Sequence, residues 1–504
     1  MSRWNLAWLL GITATVLVGF SLTYSAPTRA GALQKKHDNL RLLVDVLEEV
    51  QQKYVRELDD DKMRDLVENM ISGGLQRLDP HSDFIGIDEF KAFQKLSKGK
   101  FGGIGIRIDV DRTTGQVVVQ SPMVGTPAFD AGILAGDIVV KIDGHATDNM
   151  PLKKVVDSIT GEPGTKVTLT ILHEGAKAPV DIELIRAEIR IENVLGDQRH
   201  KDNVKEWDFW IDPESRIAYI RVIGFTETTV DELTKVVDGL QKANMKGLVI
   251  DLRNNPGGLL KSAVEVSSMF LEEGKNVVST KGRGNDNKEV FNVRRSTVAA
   301  PANPYPIAVL LNRYSASASE IVAAALQDHL RAVIIGERSY GKGSVQNVIP
   351  MENATTALKL TTASYWRPSG KNIHRFPDAK DDEEWGVKPN KGYEVKLSDE
   401  ERLNYFRWRY NRDIVRRNGE GPKPKDEEKL KDFRDRVLDK AVEYIRGELK
   451  KQQGAQAPLP APTVATRETE RFTTNDSRVS QRRQETPAIR DRSEGLNMKK
   501  SQEF

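Results

Sequence analysis

The sequence predicts a multidomain α/β protein, and three observations support that fold class. Between about residues 190 and 395, short apolar strands alternate with helical patterns, which is typical of a central sheet covered on both faces. Residues 91–187 are instead rich in short strands and glycine turns. Helical stretches flank these two regions, and the C-terminal one is also charged. At 504 residues, the chain is long enough for two or three domains with separate cores.

Changes in texture along the chain predict six segments. Apolar residues at helical spacing, such as Leu40, Leu43 and Leu47, mark the first segment that follows the N-terminal apolar run. The predicted segments are an export signal or anchor at 1–30, a helical segment at 31–90, a β-rich module at 91–187, an α/β core at 188–395, a charged helical segment at 396–452, and a disordered tail at 453–504 that is poor in aliphatic residues.

Within the predicted core, strands and helices follow one another regularly. The expected strands are Ile217–Val222, Gly247–Asp251, Ile307–Leu311 and 332–335, and the expected helices are 230–243, 260–271 and 319–330.

The first thirty residues predict export. Arg3 precedes an uncharged run over residues 4–28 whose middle is strongly apolar, which is the pattern of an export signal. Thr28 and Ala30 supply the small residues that a signal peptidase reads, but the run is also long enough to span a bilayer. Cleavage and retention as a membrane anchor through residues 4–24 both remain open. In either case we expect the rest of the chain in the periplasm or another extracytoplasmic space.

Composition excludes several classes of function. The chain has no cysteine, which excludes thiol catalysis, disulfides and cysteine-based zinc sites. Its 76 basic and 73 acidic residues give a net charge of only +3, so no overall field points to nucleic acid. The sequence has no metal-ligand motif such as H-E-x-x-H. We therefore expect neither a metal nor another cofactor.

Ser317, at the start of a predicted helix, is the candidate nucleophile. It lies in residues 314–320 (YSASASE), directly after the apolar strand Ile307–Leu311. Ser317 and Glu320 also fit the S-x-x-E capping box, so a plain helix cap is the alternative interpretation. Free N–H groups and the positive end of the helix dipole at such a position would stabilise an attacking alkoxide and its oxyanion.

Lys342 is the candidate base for this serine. The nearest histidine, His329, lies about 18 Å along a continuous helix, and no other histidine has a setting that recommends it, although the sequence does not exclude a histidine triad. Lys342 lies between two glycines after the strand at 332–335, and burial can bring the pKa of a lysine toward neutrality. Gln346 falls on the same face of the extended segment, where its side-chain oxygen could orient the amine.

The lysine segment also comes close to a nucleotide-binding loop. Gly336, Gly341 and Lys342 satisfy G-x-x-x-x-G-K, but Gly343 stands where serine or threonine should bind the metal. A strand-like segment follows, in place of the helix that would hold phosphate. The phosphate-binding interpretation therefore fails.

A third segment, residues 251–258 (DLRNNPGG), ends an apolar strand and opens a helix. Paired glycines there let backbone N–H groups approach a ligand closely, and the alternative is a plain strand-to-helix turn. Together with LDPHS at 78–82, the glycine loop at 102–106 and GKGSVQ at 341–346, these segments resemble the carboxyl-terminal processing proteases, also called tail-specific proteases. The resemblance covers about residues 35–395.

The resemblance implies a layered α/β, crotonase-like protease core with an inserted PDZ domain at 91–187. It implies Ser317 as nucleophile, Lys342 as general base and Gln346 as its support. The implied oxyanion hole is formed by the N–H groups of Ala318 and Gly258, with Gly257 as the less favoured choice.

In the implied PDZ domain, a carboxylate cradle is formed by Gly103, Ile104, Gly105 and Ile106, since a glycine-rich loop entering a strand can present N–H groups to a peptide terminus. The alternative is that these glycines only serve a hairpin.

The expected function is that of a serine endopeptidase that selects protein or peptide substrates by their free C-termini. No nucleic-acid partner is expected, and formation of a homo-oligomer is left open. One alternative is a non-catalytic, membrane-tethered PDZ scaffold on a degenerate protease fold, which would not need the set Ser317, Lys342 and Gln346. A second, an acyl-transforming enzyme of a related layered fold, would require a loop for a phosphate-bearing carrier, and the sequence has none.

Overall fold

The computed structural model describes residues 29–200, 202–285, 288–294, 304–415 and 430–455. Within these ranges, no helix combines the length and the apolar character needed to cross a membrane. The predicted export segment lies outside them up to residue 28, and so does the predicted disordered tail from residue 456. Those two expectations stay predictions.

Helices dominate the N-terminal segment, with one short strand between the second and third helix. The elements are α1 (Arg29–Lys53), α2 (Asp60–Gln76), β1 (Asp83–Ile85) and α3 (Ile87–Lys98). Helix α2 begins at Asp60 because the Asp59 carboxylate accepts a hydrogen bond from the Lys62 N–H at 2.9 Å. The turn 78–82 then leads the chain into β1.

The β-rich module has a sheet and a core of its own. Its elements are β2 (Lys100–Gly103), β3 (Ile106–Val110), β4 (Val117–Pro122), α4 (Pro127–Asp130), β5 (Ile138–Ile142), β6 (His145–Ala146), α5 (Leu152–Ile159), β7 (Lys166–Leu172), β8 (Val180–Ile185) and β9 (Ala187–Arg190). Strands β2 and β9 pair antiparallel, so the chain enters and leaves the module at one place. The sheet order β3-β4-β5-β7-β8 leaves β3 at an edge.

The α/β core and the C-terminal helices complete the described chain. Their elements are β10 (Val194–Leu195), β11 (Gln198–Arg199), β12 (Trp207–Asp208), β13 (Trp210–Asp212), β14 (Ile217–Val222), α6 (Thr229–Lys242), β15 (Gly247–Asp251), α7 (Leu260–Ser268), β16 (Asn276–Gly282), β17 (Glu289–Asn292), β18 (Ile307–Leu311), α8 (Ala318–Asp328), β19 (Val333–Gly336), β20 (Ser344–Met351), β21 (Thr356–Trp366), α9 (Asp399–Asp413) and α10 (Arg436–Ala455).

The central sheet is covered on both faces, as its apolar strands predicted. Strands β14, β15, β18 and β19 run parallel in that order. Residues on one face of these strands pack against α6, α7 and α8. On the other face, Tyr219, Val249 and Leu310 pack with Ala441 and Ile445 of α10. Full burial of one large apolar side chain contributes roughly 1.5–3 kcal/mol, so α10 is an integral part of the core.

Buried charges hold the turn that follows β15. Arg253 donates to Asp251 Oδ2 at 2.6 Å and to Asp435 Oδ2 at 2.7 Å, and the Tyr219 hydroxyl donates to Asp251 Oδ2 at 2.6 Å. Removal of one member would leave an uncompensated buried charge. The network therefore fixes the start of the glycine turn 252–258, which lies beside the loop after β18.

A second sheet joins the N-terminal segment to the lysine segment. Its strands are ordered β1-β21-β16-β17, and β20 pairs with β21. Gln346 on β20 faces Thr361 on β21, while Val345 faces Ala363, so Thr362 is an extra residue that forms a bulge. Strand β1 pairs with the stretch of β21 just before Thr361, which brings the turn 78–82 close to Gln346.

Candidate active site

Ser317 lies where the loop after β18 turns into α8. Its backbone has φ 55° and ψ −113°, a region that residues with a side chain rarely adopt. Its N–H donates to Glu320 Oε2 at 2.8 Å, which forms one half of the predicted capping box. The N–H of Ala316 donates to the Asn255 carbonyl at 3.0 Å. The strained serine is thus held from both sides by hydrogen bonds.

The paired glycines of the 251–258 segment press against this serine. A Cβ on Gly257 would lie 2.8 Å from Ser317 Cβ and 2.9 Å from Ala318 N, and Gly257 has φ +104°. On Gly258, which has φ +148°, a Cβ would lie 2.1 Å from the Phe225 carbonyl oxygen. Only glycine therefore fits at either position.

Glu320 joins the serine and lysine segments. Its fully buried carboxylate accepts four hydrogen bonds: from Ser317 N–H and Lys342 N–H on Oε2, each at 2.8 Å, and from Ser339 Oγ and Gly341 N–H on Oε1, each at 2.6 Å. Burial raises the pKa of Glu320 to about 7, although the four donors oppose this shift. The Glu320 carboxylate therefore holds the backbone of both segments in place, although its burial costs desolvation free energy.

The backbone around Lys342 is tightly packed and the side chain is half-buried. A Cβ on Gly341 would lie 2.7 Å from Arg375 Cβ, and one on Gly343 would lie 2.2 Å from His374 N. Burial lowers the pKa of the Lys342 amine, the charge of Lys359 lowers it further, and Glu320 opposes both effects. These are the conditions under which a lysine can act as a base.

The side chain of Gln346 bonds to its neighbours on the sheet. Its Nε2 donates to Ser344 Oγ at 2.8 Å and to Thr361 Oγ1 at 3.1 Å. Among the described residues, the Lys342 amine makes no hydrogen bond to Ser317 or to Gln346. The fold thus brings the backbones of Ser317 and Lys342 to one carboxylate, but it does not join their side chains.

Three contacts at this site were not anticipated from the sequence. Tyr365 hydrogen-bonds to the Ser317 side chain. Burial raises the pKa of the Tyr365 hydroxyl to about 12, although the bond to Ser317 lowers it. The pKa of His81 is lowered by burial and then by the charge of Lys342, so the turn 78–82 lies close to the amine. The third contact is the bond from Lys342 N–H to Glu320, because the capping-box pattern of this glutamate indicated only the start of a helix. No sequence motif marks Tyr365.

The predicted carboxylate cradle lies at the start of β3, the edge strand of the β-rich module. The Ile104 carbonyl accepts from Ala128 N–H at 3.0 Å, and the Gly105 carbonyl accepts from Met123 N–H at 2.8 Å. A Cβ on Gly105, which has φ +80°, would lie 2.4 Å from Thr126 Oγ1. The loop from Gly103 to Ile106 is therefore held against residues 123–128.

Comparison with protein-family models gives two matches. Residues 216–390 match the model of peptidase family S41, and residues 102–184 match the PDZ domain. The first match contains the Ser317 and Lys342 segments, and the second contains the loop of the predicted cradle.

Similar proteins cover most of the chain. A carboxy-terminal-processing protease of Bartonella bacilliformis is 39% identical over 424 residues, which is 82% of this chain and 90% of that protein. Carboxy-terminal processing protease CtpA of Bacillus subtilis is 33% identical over 71% of this chain and 69% of its own length. Among solved structures, a photosystem II D1 C-terminal processing protease is 28% identical over 69% of this chain and 86% of that chain, with a TM-score of 0.37.

Proposed function

The chain belongs to the carboxy-terminal processing proteases of peptidase family S41, and we propose that it cleaves peptide bonds with Ser317 as nucleophile and Lys342 as general base. As a member of this family it is a serine-type peptidase with a PDZ domain. The alternative of a non-catalytic scaffold is not favoured.

One observation carries the assignment of the pair. A single oxygen, Oε2 of Glu320, accepts the N–H groups of both Ser317 and Lys342. Two residues 25 positions apart are thereby fixed by their backbones to one buried atom, while the lysine amine has a lowered pKa. A helix cap alone would require no such link to a lysine between two glycines.

In the proposed reaction, the neutral Lys342 amine takes the proton of Ser317 as the hydroxyl attacks the substrate carbonyl. The protonated lysine then gives this proton to the leaving amine, and an acyl-enzyme remains. A water molecule, deprotonated by the same lysine, releases the new carboxyl terminus and restores Ser317. The carbonyl oxygen of Gln346 supports the lysine through this cycle.

The developing oxyanion is assigned to the N–H groups of Ala318 and Gly258. Ala318 is the first residue of α8, so its N–H has no acceptor within the helix. The N–H of Gly257 already donates to Asn255 Oδ1 at 2.8 Å. This commitment favours Gly258 over Gly257 as the second donor.

Selection of substrates by their C-terminus is assigned to the loop before β3. In a trans peptide, the C=O and the following N–H point in opposite directions. Because the carbonyls of Ile104 and Gly105 bond to residues 123–128, the N–H groups of Gly105 and Ile106 point away from that segment. Both can then donate hydrogen bonds to a terminal carboxylate, while the peptide pairs with β3 at the edge of its sheet.

The test is cleavage of an unstructured model protein with a free C-terminus, followed by mass spectrometry. We expect Ser317→Ala and Lys342→Ala each to lower activity by roughly 10³-fold or more, because the two side chains act as a unit. Ser268→Ala, at a buried position, and Lys242→Ala, at an exposed position, remove the same groups away from the site and serve as controls. Wild-type activity in either site variant, with an unchanged melting temperature, would contradict the Ser–Lys assignment.

A further inference from the structure

We propose that Asp79 and Thr361 are positioning residues that fix the amide of Gln346 with its carbonyl oxygen toward Lys342. This inference rests on the proposed function, in which Gln346 supports the lysine. It gives a role to the LDPHS turn, which lies more than 230 residues before the candidate nucleophile in the sequence and which the Ser–Lys assignment leaves unused.

Asp79 organises its own turn first. Its Oδ1 accepts from the N–H groups of His81 at 2.8 Å and Ser82 at 2.9 Å, and its Oδ2 accepts from Ser82 Oγ at 2.6 Å. Burial by itself would raise the pKa of Asp79, but the hydrogen bonds from Ser82, His81 and Thr361 outweigh it, and the pKa is lowered. At neutral pH the side chain is therefore a carboxylate, which can only accept hydrogen bonds.

The turn is bonded to Thr361 at two points. Thr361 N–H donates to Ser82 Oγ at 3.0 Å, and Thr361 Oγ1 donates to Asp79 Oδ1 at 3.0 Å across 282 positions of sequence. A threonine hydroxyl has one proton. Since that proton is given to a group that cannot donate, Thr361 Oγ1 can only accept from its other neighbour.

That neighbour is Gln346, which lies directly opposite Thr361 in the sheet. It must present its amino group, and the observed bond from Nε2 to Thr361 Oγ1 at 3.1 Å has this direction. The second amino hydrogen donates to Ser344 Oγ at 2.8 Å. Both donors of the amide are then committed. Only its carbonyl oxygen is left for the role that the proposed function gives Gln346 toward the amine of Lys342, two residues before Ser344 in the sequence.

Without this constraint, the amide could turn its amino group toward Lys342. Two donors would then face each other, and the amine would lose the acceptor that directs it. The effect on rate requires no contact between Asp79 or Thr361 and the substrate. In this positioning role both residues act through Gln346.

The experiment compares Thr361→Val, which is close in shape but has no hydroxyl, with Thr361→Ser, which keeps it. With a free-acid peptide substrate, we expect Thr361→Val to lower kcat roughly tenfold, as for loss of one hydrogen bond of about 1.4 kcal/mol, with KM unchanged. Thr361→Ser should restore most of the rate. Loss of the carbonyl acceptor should also move the midpoint of the kcat–pH profile to lower pH, a shift that a merely loosened sheet would not produce.

A double-mutant cycle tests whether the effect passes through the amide. In a Gln346→Ala background, Thr361→Val should cause no further loss. Asp79→Ala should behave like Thr361→Val and be non-additive with it. Additive losses in the cycle would overturn the inference.

The β-rich module offers two matched controls. Thr170 Oγ1 donates to Asp181 Oδ1 across a strand pair at 2.6 Å, so Thr170→Val removes the same kind of bond. Asp111 accepts from the N–H groups two and three residues on, at 2.8 and 2.9 Å, as Asp79 does. We expect Thr170→Val and Asp111→Ala to keep kcat unchanged.

Two failures are distinguishable. If Lys342→Ala retains activity, the proposed function is wrong. If Lys342→Ala is inactive but Thr361→Val keeps the wild-type kcat and pH midpoint, only the positioning role is wrong.

Discussion

The backbone N–H of Lys342 donates to Glu320 Oε2 at 2.8 Å, although the two residues are 22 positions apart. Glu320 lies in the first turn of α8, and this helix begins directly after Ser317. The loop that carries the candidate base is therefore bonded to the helix that carries the candidate nucleophile.

Replacement of Glu320 by glutamine should uncouple the two segments. The amide nitrogen cannot accept a hydrogen bond, so two of the four donors lose their acceptor. We expect kcat in a peptide-cleavage assay to fall roughly tenfold or more, since one unpaired buried donor costs about 1–3 kcal/mol. Glu265→Gln, at a partly exposed position of α7, is the control for a carboxyl–amide exchange. Unchanged kcat in Glu320→Gln would show that the link is not needed.

The same variant tests a stability effect of pH. The folded-state pKa of Glu320, about 7, lies above the ordinary glutamate value of about 4.3, so the folded protein binds this proton more tightly than the unfolded chain. The resulting stabilisation is complete below about pH 4 and is lost as the pH rises through about 7. Urea unfolding should therefore show wild-type stability declining relative to Glu320→Gln over this window. If the free energy of unfolding of wild type instead rose with pH relative to that of Glu320→Gln, the raised pKa would be contradicted.

The charge of Lys359 should set part of the pH dependence of catalysis. Burial lowers the pKa of Lys342 first, and Lys359 lowers it further by repulsion. Since the proposed base must be neutral, kcat/KM should rise with pH as Lys342 loses its proton. Lys359→Gln removes the repulsion, so the pKa of Lys342 should rise and the increase in kcat/KM should move to higher pH. Lys242→Gln, at the end of α6, should leave the profile in place, and a profile unchanged in Lys359→Gln would argue against Lys342 as the titrating base.

Selection by the C-terminus should depend on Gly105. Any side chain there would overlap Thr126 and deform the loop that presents the N–H groups. We expect Gly105→Ala to raise KM for a free-acid peptide about tenfold or more, and to leave hydrolysis of a small ester nearly unchanged. Gly144 has the same φ of +80° but open space around it, so Gly144→Ala separates backbone strain from the overlap.

The peptide itself gives an independent measurement. Amidation of the C-terminus removes the negative charge to which the N–H groups of the loop donate. Amidation should therefore weaken cleavage in wild type but not in Gly105→Ala. Equal rates for the free and amidated peptides in wild type would exclude recognition of the terminal carboxylate.

The sequence by itself determined the order of elements and the candidate pair. Apolar runs such as Gly247–Asp251 and Ile307–Leu311 identify buried parallel strands because both faces of such strands are covered. Ser317 and Lys342 stand out because each lies in the segment that follows such a strand, among residues that favour sharp turns. Local periodicity and turn chemistry carry this information.

Only the tertiary structure decided what surrounds that pair. The bonds from Glu320 to Lys342, from Tyr365 to Ser317, and from Asp79 to Thr361 join residues between 22 and 282 positions apart. Such contacts depend on which strands become neighbours and in what register. A bulge of one residue, as at Thr362, changes which residue on β21 lies opposite Gln346. No local pattern specifies these contacts, because each bond forms only after distant segments have packed together.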